Sequence, residues 1–375
     1  MNIFTVTCHN VYNYGASLQA YALQYYLKLQ GYENKIIDYR PDYLDWHYKL
    51  SWWVPSNSKY YRYLKSNPLF RAVYVILRYL SELKYISRYY AFKRFNEKHL
   101  ILTKKCKNIN EINSLCKNIK ILITGSDQVW NSYTLDNGID PVFYLNFGEK
   151  SSKRISYAAS FGSDRIKEER ASDIRRMLLN IDDISVREST GINILHELGL
   201  RGKVVCDPVF LLNKNEWSNL YTHTNLDDKY ILIYNLGPEN HKLIAATKKI
   251  KNETGYSIIS VRGNSSISCD REIRNAGPTD FIRLLSNAEF VLTNSFHATA
   301  FSIIFNKNFY CFTCEKGKTR TRIVNILSQF SLNDRLNPQE PTYESLIDYN
   351  KINKDLDTYI SLSKNWLQDC LRLNK

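Results

Sequence analysis

Short apolar runs alternate along this chain with longer segments whose apolar residues recur every three or four positions, the pattern of strands joined by crossover helices in a parallel sheet. Residues 2–7 read as a strand, and from Ser17 to Leu29 the side chains Leu18, Ala22, Leu23, Tyr26 and Leu27 share one helical stripe. Gly31 ends that helix and 35–39 supply a second strand. A helix near 109–117 leads to a strand at 119–124, and further strands are predicted at 154–158, 184–187 and 204–206, with helices between them. The rhythm restarts at 230–235, with strands at 256–261, 290–293 and 308–312 and helices at 239–253, 279–287, 295–304 and 318–330. From 352 to 373, Ile352, Leu356, Tyr359, Ile360, Trp366, Leu367, Cys370 and Leu371 keep helical spacing. The expectation is an α/β protein of two Rossmann-like domains facing a cleft, spanning 1–222 and 223–349, with a closing helix at 350–375. In such sheets ligands gather at the carboxyl ends of the strands.

Composition supports a folded protein without narrowing its chemistry. A chain of 375 residues is long enough for two cores, and 44% hydrophobic with 23% charged residues is ordinary globular usage. No run of eighteen apolar residues predicts a spanning helix, and the opening residues lack a signal-peptide pattern, so a cytoplasmic location is expected. The eight cysteines are expected as free thiols, mostly buried; Cys311 and Cys314 form a lone C-x-x-C without the second ligand pair that zinc needs.

Charge is uneven. The net formal charge is +14, and residues 43–98 hold eleven Lys and Arg against three Asp and Glu, a net of +8. That stretch also carries Trp46, Trp52, Trp53 and the run Tyr60, Tyr61, Arg62, Tyr63. It reads as a helical insertion in the first domain, either snorkelling over its own core or lying against an anionic membrane surface. Nucleic acid is not expected as a partner, because no recognised nucleic-acid module accompanies the charge.

Five strand ends carry candidate chemistry. After the first strand comes Cys8-His9-Asn10-Val11-Tyr12-Asn13-Tyr14-Gly15-Ala16, a loop whose backbone N–H groups and helix dipole suit an anion, with Gly15 and Ala16 allowing close approach. No dinucleotide or Walker-type glycine pattern is present. The second end is Gly125-Ser126-Asp127-Gln128-Val129-Trp130-Asn131, where Asp127 suits a base, a sugar-hydroxyl acceptor or a helix cap. The third, 157–162, offers small residues around Ser160 that shape a pocket. In the fourth, Arg187 ends a strand and presents a planar fork for a carboxylate or phosphate, unless it pairs with Glu188 at the surface. The fifth is Thr293-Asn294-Ser295-Phe296-His297-Ala298, with a histidine, a side chain able to give or take a proton.

In combination and in this order, these segments resemble the polysaccharide pyruvyl transferase family from residue 1 to about 335. The resemblance implies a glycosyltransferase-B-like domain pair and phosphoenolpyruvate as donor, with no cofactor and no metal. It implies a sugar of a cell-surface polysaccharide or its precursor as acceptor. His297, Arg187 and Asp127 are then the expected catalytic residues, with His9 as a reserve acid. Asn10, Asn13, Gly15, Ala16, Ser126, Ser160, Asn294 and Ser295 join His9 as expected substrate contacts. The family commonly has glycine where this chain has Ala298. If the acceptor is lipid-linked, peripheral association with the inner membrane face is implied as well. Two other readings fit the same cleft: a sugar-nucleotide-dependent glycosyltransferase, and a non-catalytic glycan-binding protein.

Overall fold

The computed structural model of the protein describes residues 2–45, 66–83, 86–133, 139–222, 228–236, 240–261, 268–314 and 320–372. Trp46, Trp52, Trp53 and the aromatic run at 60–63 lie outside the described residues, as do the predicted helix positions 239, 318 and 319.

The first unit alternates strands and helices: β1 (Asn2–Val6), α1 (Tyr14–Leu29), β2 (Glu33–Ile36), a short α2 (Asp42–Asp45), α3 (Pro68–Leu83), α4 (Ile86–His99), α5 (Ile109–Leu115), β3 (Ile121–Thr124), β4 (Lys153–Ala159), α6 (Ala171–Leu178), β5 (Asp183–Val186), α7 (Ser189–Glu197) and β6 (Lys203–Val204). After α8 (Lys214–Ser218), the second unit runs β7 (Tyr230–Tyr234), α9 (His241–Thr254), β8 (Ser257–Val261), β9 (Arg271–Ile273), α10 (Pro278–Asn287), β10 (Phe290–Thr293), α11 (Phe296–Ile304), β11 (Asn308–Cys311) and α12 (Arg320–Gln329). The chain closes with α13 (Tyr349–Leu371).

Among the described residues, the first sheet orders its strands β2-β1-β3-β4-β5-β6 and the second β11-β10-β7-β8-β9, and every pairing is parallel. Helices on both faces explain why the central strands are apolar throughout rather than alternating. All four residues of β3, all five of β7 and all four of β10 are buried. In each sheet the chain starts in the middle, builds to one side, then returns to the other. The direction therefore reverses between β1 and β3 and between β7 and β10, the places where doubly wound sheets open a ligand crevice. The ends of β6 and β10 approach one another, with His297 Nε2 3.6 Å from Asp207 Oδ2.

Several boundaries differ from the sequence reading for local reasons. Helix α1 begins at Tyr14 rather than Ser17, because Asn13 accepts hydrogen bonds from the Gly15 and Ala16 amides and caps it there. Strand β2 ends at Ile36 instead of continuing to 39. Beyond it the backbone turns to a parallel partner in the 101–106 segment, with Arg40 N donating to Cys106 O at 2.7 Å. Strand β9 was not predicted, since its three residues, Arg-Glu-Ile, carry no apolar pattern. The cysteines of the C-x-x-C are both free, Cys311 buried and Cys314 exposed, and burial pushes the Cys311 thiol up to about 12.

Helix α13 returns to the first unit. Ser363 Oγ accepts from Cys206 N at 2.9 Å, the Trp366 ring lies 6.4 Å from that of Tyr157, and Gln368 donates to Gln30 at 3.0 Å. A second seam lies at the start of α1. Tyr14 stacks on Phe281 of α10 with ring centroids 4.5 Å apart and donates to Ala276 O at 2.9 Å. Helix α4 reinforces this seam, with Phe92 stacked on Tyr14 and Arg88 lying over the same ring.

Candidate active site

The facing strand ends bring together a group of buried charges. Arg187, one residue beyond β5, is 5% exposed, so the surface pairing weighed for it does not apply. Its Nε donates to Glu188 Oε1 at 2.7 Å and its Nη1 to Asp207 Oδ2 at 2.7 Å, while Nη2 lies 3.7 Å from Asp127 Oδ1 without a hydrogen-bond partner. The guanidinium also sits 4.5 Å from the centre of the Phe296 ring. Burial alone would pull its pKa down. The charges of Glu188, Asp207 and Asp127 outweigh burial and hold the value above the ordinary one, so the fork stays charged.

Asp207 is the hub. It follows β6, its side chain is fully buried, and Val209 N fixes the other carboxylate oxygen at 3.1 Å. His297 Nε2 lies 3.6 Å from the same Oδ2 that Arg187 grips, an ion-pair distance too long for a hydrogen bond. That Nε2 is buried and has no hydrogen-bond partner. Burial would raise the Asp207 carboxyl, but His297 and Arg187 overcome it and hold the group well below the usual carboxylate range. A depressed folded pKa gives stability that is present above the unfolded value near ~3.9 and lost as pH falls below it. Urea midpoints should therefore drop more steeply on acidification below about pH 5 for the native chain than for Asp207→Asn; parallel acid limbs would contradict the pairing.

Arg322, on α12, is a second buried guanidinium that sequence reasoning missed. Its Nη1 lies 4.0 Å from Asp127 Oδ1, and its Nε is buried without a hydrogen-bond partner. With the Gln128 amide oxygen turned toward it, Gln128 accepts at 3.1 and 3.2 Å. Burial, and after it the like charge of Arg187, push its pKa below the ordinary value. Asp127 thus stands between two arginines. Its backbone, at φ 68°, is held by Val129 and Ser160 N–H groups donating to its carbonyl at 2.8 and 2.9 Å.

A cavity of about 370 Å³ opens beside this cluster, lined by Arg187, Glu188, Asp207, Phe296, Arg322 and Tyr359 among others. Its rim is tied across the two units by Ser189, whose backbone N donates to Asn325 Oδ1 at 3.1 Å. His297 and Asp127 do not line this cavity; His297 lies beside two residues that do, 3.6 Å from Asp207 Oδ2 and with its ring 5.0 Å from that of Phe296.

The remaining predicted contacts are placed differently. Gly15 abuts His297: a Cβ added there would lie 1.9 Å from Nδ1, so the glycine makes room for the imidazole. Ala16 is buried beside it in α1. Asn13 caps α1 and Ser295 caps α11, accepting from Ala298 N at 3.4 Å. Asn294 is spent on the backbone of Leu236, accepting from its N and donating to its O, both at 2.6 Å. Ser126 donates to Ala158 O at 2.6 Å and lies 3.4 Å from Asp207; Ser160 accepts from Gly162 N at 3.0 Å. His9 is 1% exposed and contacts Asp38 through Nε2 at 3.0 Å and Thr7 O through Nδ1 at 3.2 Å. Both ring nitrogens are engaged, which leaves neither free to act as the reserve acid. Asn10 lines a separate small pocket with Cys8, His9 and Arg40.

The family model for polysaccharide pyruvyl transferase matches residues 13–316. The chain belongs to the polysaccharide pyruvyl transferase family. Arg187, Asp207 and His297 all fall within the pyruvyl transferase match, whereas Arg322 and Tyr359 lie beyond it. No curated protein matches the chain. Among solved structures it is similar to Staphylococcus aureus MnaA in complex with UDP, at 12% identity, covering 97% of this chain and 91% of that one with a TM-score of 0.49. It is also similar to Neisseria meningitidis UDP-GlcNAc 2-epimerase bound to UDP-GlcNAc, at 11% identity, 100% and 95% coverage and a TM-score of 0.43. A third is Arabidopsis thaliana UGT89C1, at 10% identity, 98% and 94% coverage and a TM-score of 0.45. Likeness at this level says nothing about chemistry. Among the described residues, no group of three His, Cys, Asp or Glu is placed to hold a metal ion.

Proposed function

We propose that this pyruvyl transferase moves the pyruvyl group of phosphoenolpyruvate onto two hydroxyls of one sugar, forming a cyclic ketal and releasing phosphate. The observation that carries the reading is the pair of buried guanidinium groups, Arg187 and Arg322, at one cavity, each with an N–H lacking a hydrogen-bond partner. Phosphoenolpyruvate has two anionic ends, and two cations in a largely buried site suit both. Asp127, 3.7 and 4.0 Å from the two forks, holds the place between them that an incoming anion would contest.

The reaction balances in protons. His297 does not line the cavity in the free protein; reaching the donor as substrate binds, it gives, as the imidazolium, a proton to the methylene carbon, which becomes the methyl group, and positive charge develops on the adjacent carbon. One sugar hydroxyl attacks that carbon and its proton restores the imidazolium. The bond to the phosphate oxygen breaks, the second hydroxyl closes the ketal, and its proton leaves with phosphate. Asp207 beside His297 stabilises the imidazolium, Arg187 and Arg322 hold the donor, and Asp127 orients the acceptor. The acceptor belongs to a cell-surface polysaccharide such as a capsule or exopolysaccharide, and on a lipid carrier it would bring the cytoplasmic enzyme to the inner face of the membrane.

Incubation with phosphoenolpyruvate and candidate nucleotide-linked or lipid-linked sugars should yield inorganic phosphate and a mass gain equal to a pyruvyl ketal. Release of a nucleoside diphosphate instead would overturn the reading in favour of glycosyl transfer. Arg322→Lys should raise KM for phosphoenolpyruvate by about tenfold with kcat less affected, the behaviour of a binding group that loses its fork.

A further inference from the structure

Helix α3 carries its apolar side chains on the wrong face for a protein interior. Leu69, Val73, Ile76 and Leu77 are 49–75% exposed. The spacing of four, seven and eight from Leu69 places them on a single arc of the helix, while Arg71 falls on the opposite arc. A core-facing helix shows the reverse order. With 16 residues it is too short to span a bilayer, and no described helix is long and apolar enough to cross one.

Two observations say what covers this face. The first is charge. The 43–98 segment around α3 has a net charge of +8, with Lys59, Arg62 and Lys65 before the helix and Lys84 after it in sequence, and Lys93, Arg94 and Lys98 exposed on α4. An apolar arc within a basic segment complements an anionic lipid surface, where acyl chains take the arc and headgroups take the cations. A second copy of this chain would bring +8 against +8. The second is position. The next helix, α4, stands against the entrance of α1: Arg88 donates to Tyr12 O at 3.1 Å, and Phe92 stacks on the Tyr14 ring that seals the two units together. Helix α3 thus directly precedes, in sequence, the helix that borders the start of α1.

We infer that α3 lies in the interface of an anionic membrane with Leu69, Val73, Ile76 and Leu77 in the acyl region, docking the enzyme beside its acceptor. The purpose rests on the pyruvyl-transfer reading with a lipid-linked sugar; the docking does not, because it is measured without substrate. The full chain is sedimented with phosphatidylcholine vesicles, with and without phosphatidylglycerol. The native chain should pellet with the mixed vesicles at low salt, release as salt rises, and stay in solution with phosphatidylcholine alone. Leu69→Glu combined with Leu77→Glu, both at exposed positions, should lose at least about tenfold in vesicle affinity while phosphate release on a soluble acceptor stays unchanged. Native protein that ignores the mixed vesicles overturns the inference, as does a double variant that still binds them. A dimer that the double variant converts to monomer, with no vesicle binding by either form, assigns the face to a second copy and also overturns it. Failure to find a ketal product would leave the vesicle result standing.

Discussion

Replacing Arg187 by methionine is expected to abolish turnover and to destabilise the protein by about 3–5 kcal/mol, the usual cost of removing one partner from a buried charge cluster. The guanidinium is the cation that Glu188 and Asp207 contact directly, and Asp127 faces it as well, so its loss leaves adjacent carboxylates in a buried site. The deficit should depend on pH in a defined direction. Without the cation the Asp207 carboxyl loses part of what offsets its burial, so the variant is penalised where that carboxylate is ionised and relieved where it is protonated. The gap in urea midpoint between native and variant should widen from about pH 5 to pH 8. Arg187→Lys separates the roles: it restores a charge without the fork, and should recover much of the stability while phosphate release stays depressed by about a hundredfold or more. Full activity in the lysine variant would remove Arg187 from the donor site.

Gly15→Ala is expected to reproduce the kinetic defect of His297→Ala although it leaves every titratable group in place. The added methyl would fall 1.9 Å from Nδ1 and 2.2 Å from the neighbouring ring carbon of His297, so the imidazole must move. A shift of about 1 Å in a proton donor costs on the order of a hundredfold in kcat. Removing the donor outright should cost between about a hundredfold and ten-thousandfold. Both variants should keep KM for phosphoenolpyruvate close to native, because neither touches the arginines. If Gly15→Ala raises KM and spares kcat, His297 is a binding group and the acid lies elsewhere.

Much of this architecture is written in local pattern, and the exceptions share a cause. Strands β3, β7 and β10 are short, apolar and flanked by polar loops, so burial on both faces makes them legible without any tertiary knowledge. The loops that follow β1, β3, β5 and β10 were visible as strand ends carrying polar residues. What those residues do was less visible, because a polar side chain at a helix start serves a cap as well as a ligand. Asn13 and Ser295 went to caps and Asn294 to the Leu236 backbone. Gly15 reads in sequence as leaving room for an anionic ligand, whereas the group against it in the fold is His297, some 280 residues away in sequence. Asp207, in Cys206-Asp207-Pro208, looks like a turn residue, and Arg322 sits in a Thr-Arg-Thr-Arg run that looks like a solvated helix start. Their importance arises from burial against charges contributed by other loops, which no local window contains.

The return of α13 to the first unit gives the molecule two tethers between its halves: the covalent link between β6 and β7, and the helix anchored through Ser363 on Cys206. Two halves joined by one strap can swivel in any direction. Joined by two, their relative rotations are narrowed to those about the line through both attachments. With Gly15 on one half and His297 on the other, fewer relative motions are open to part the two.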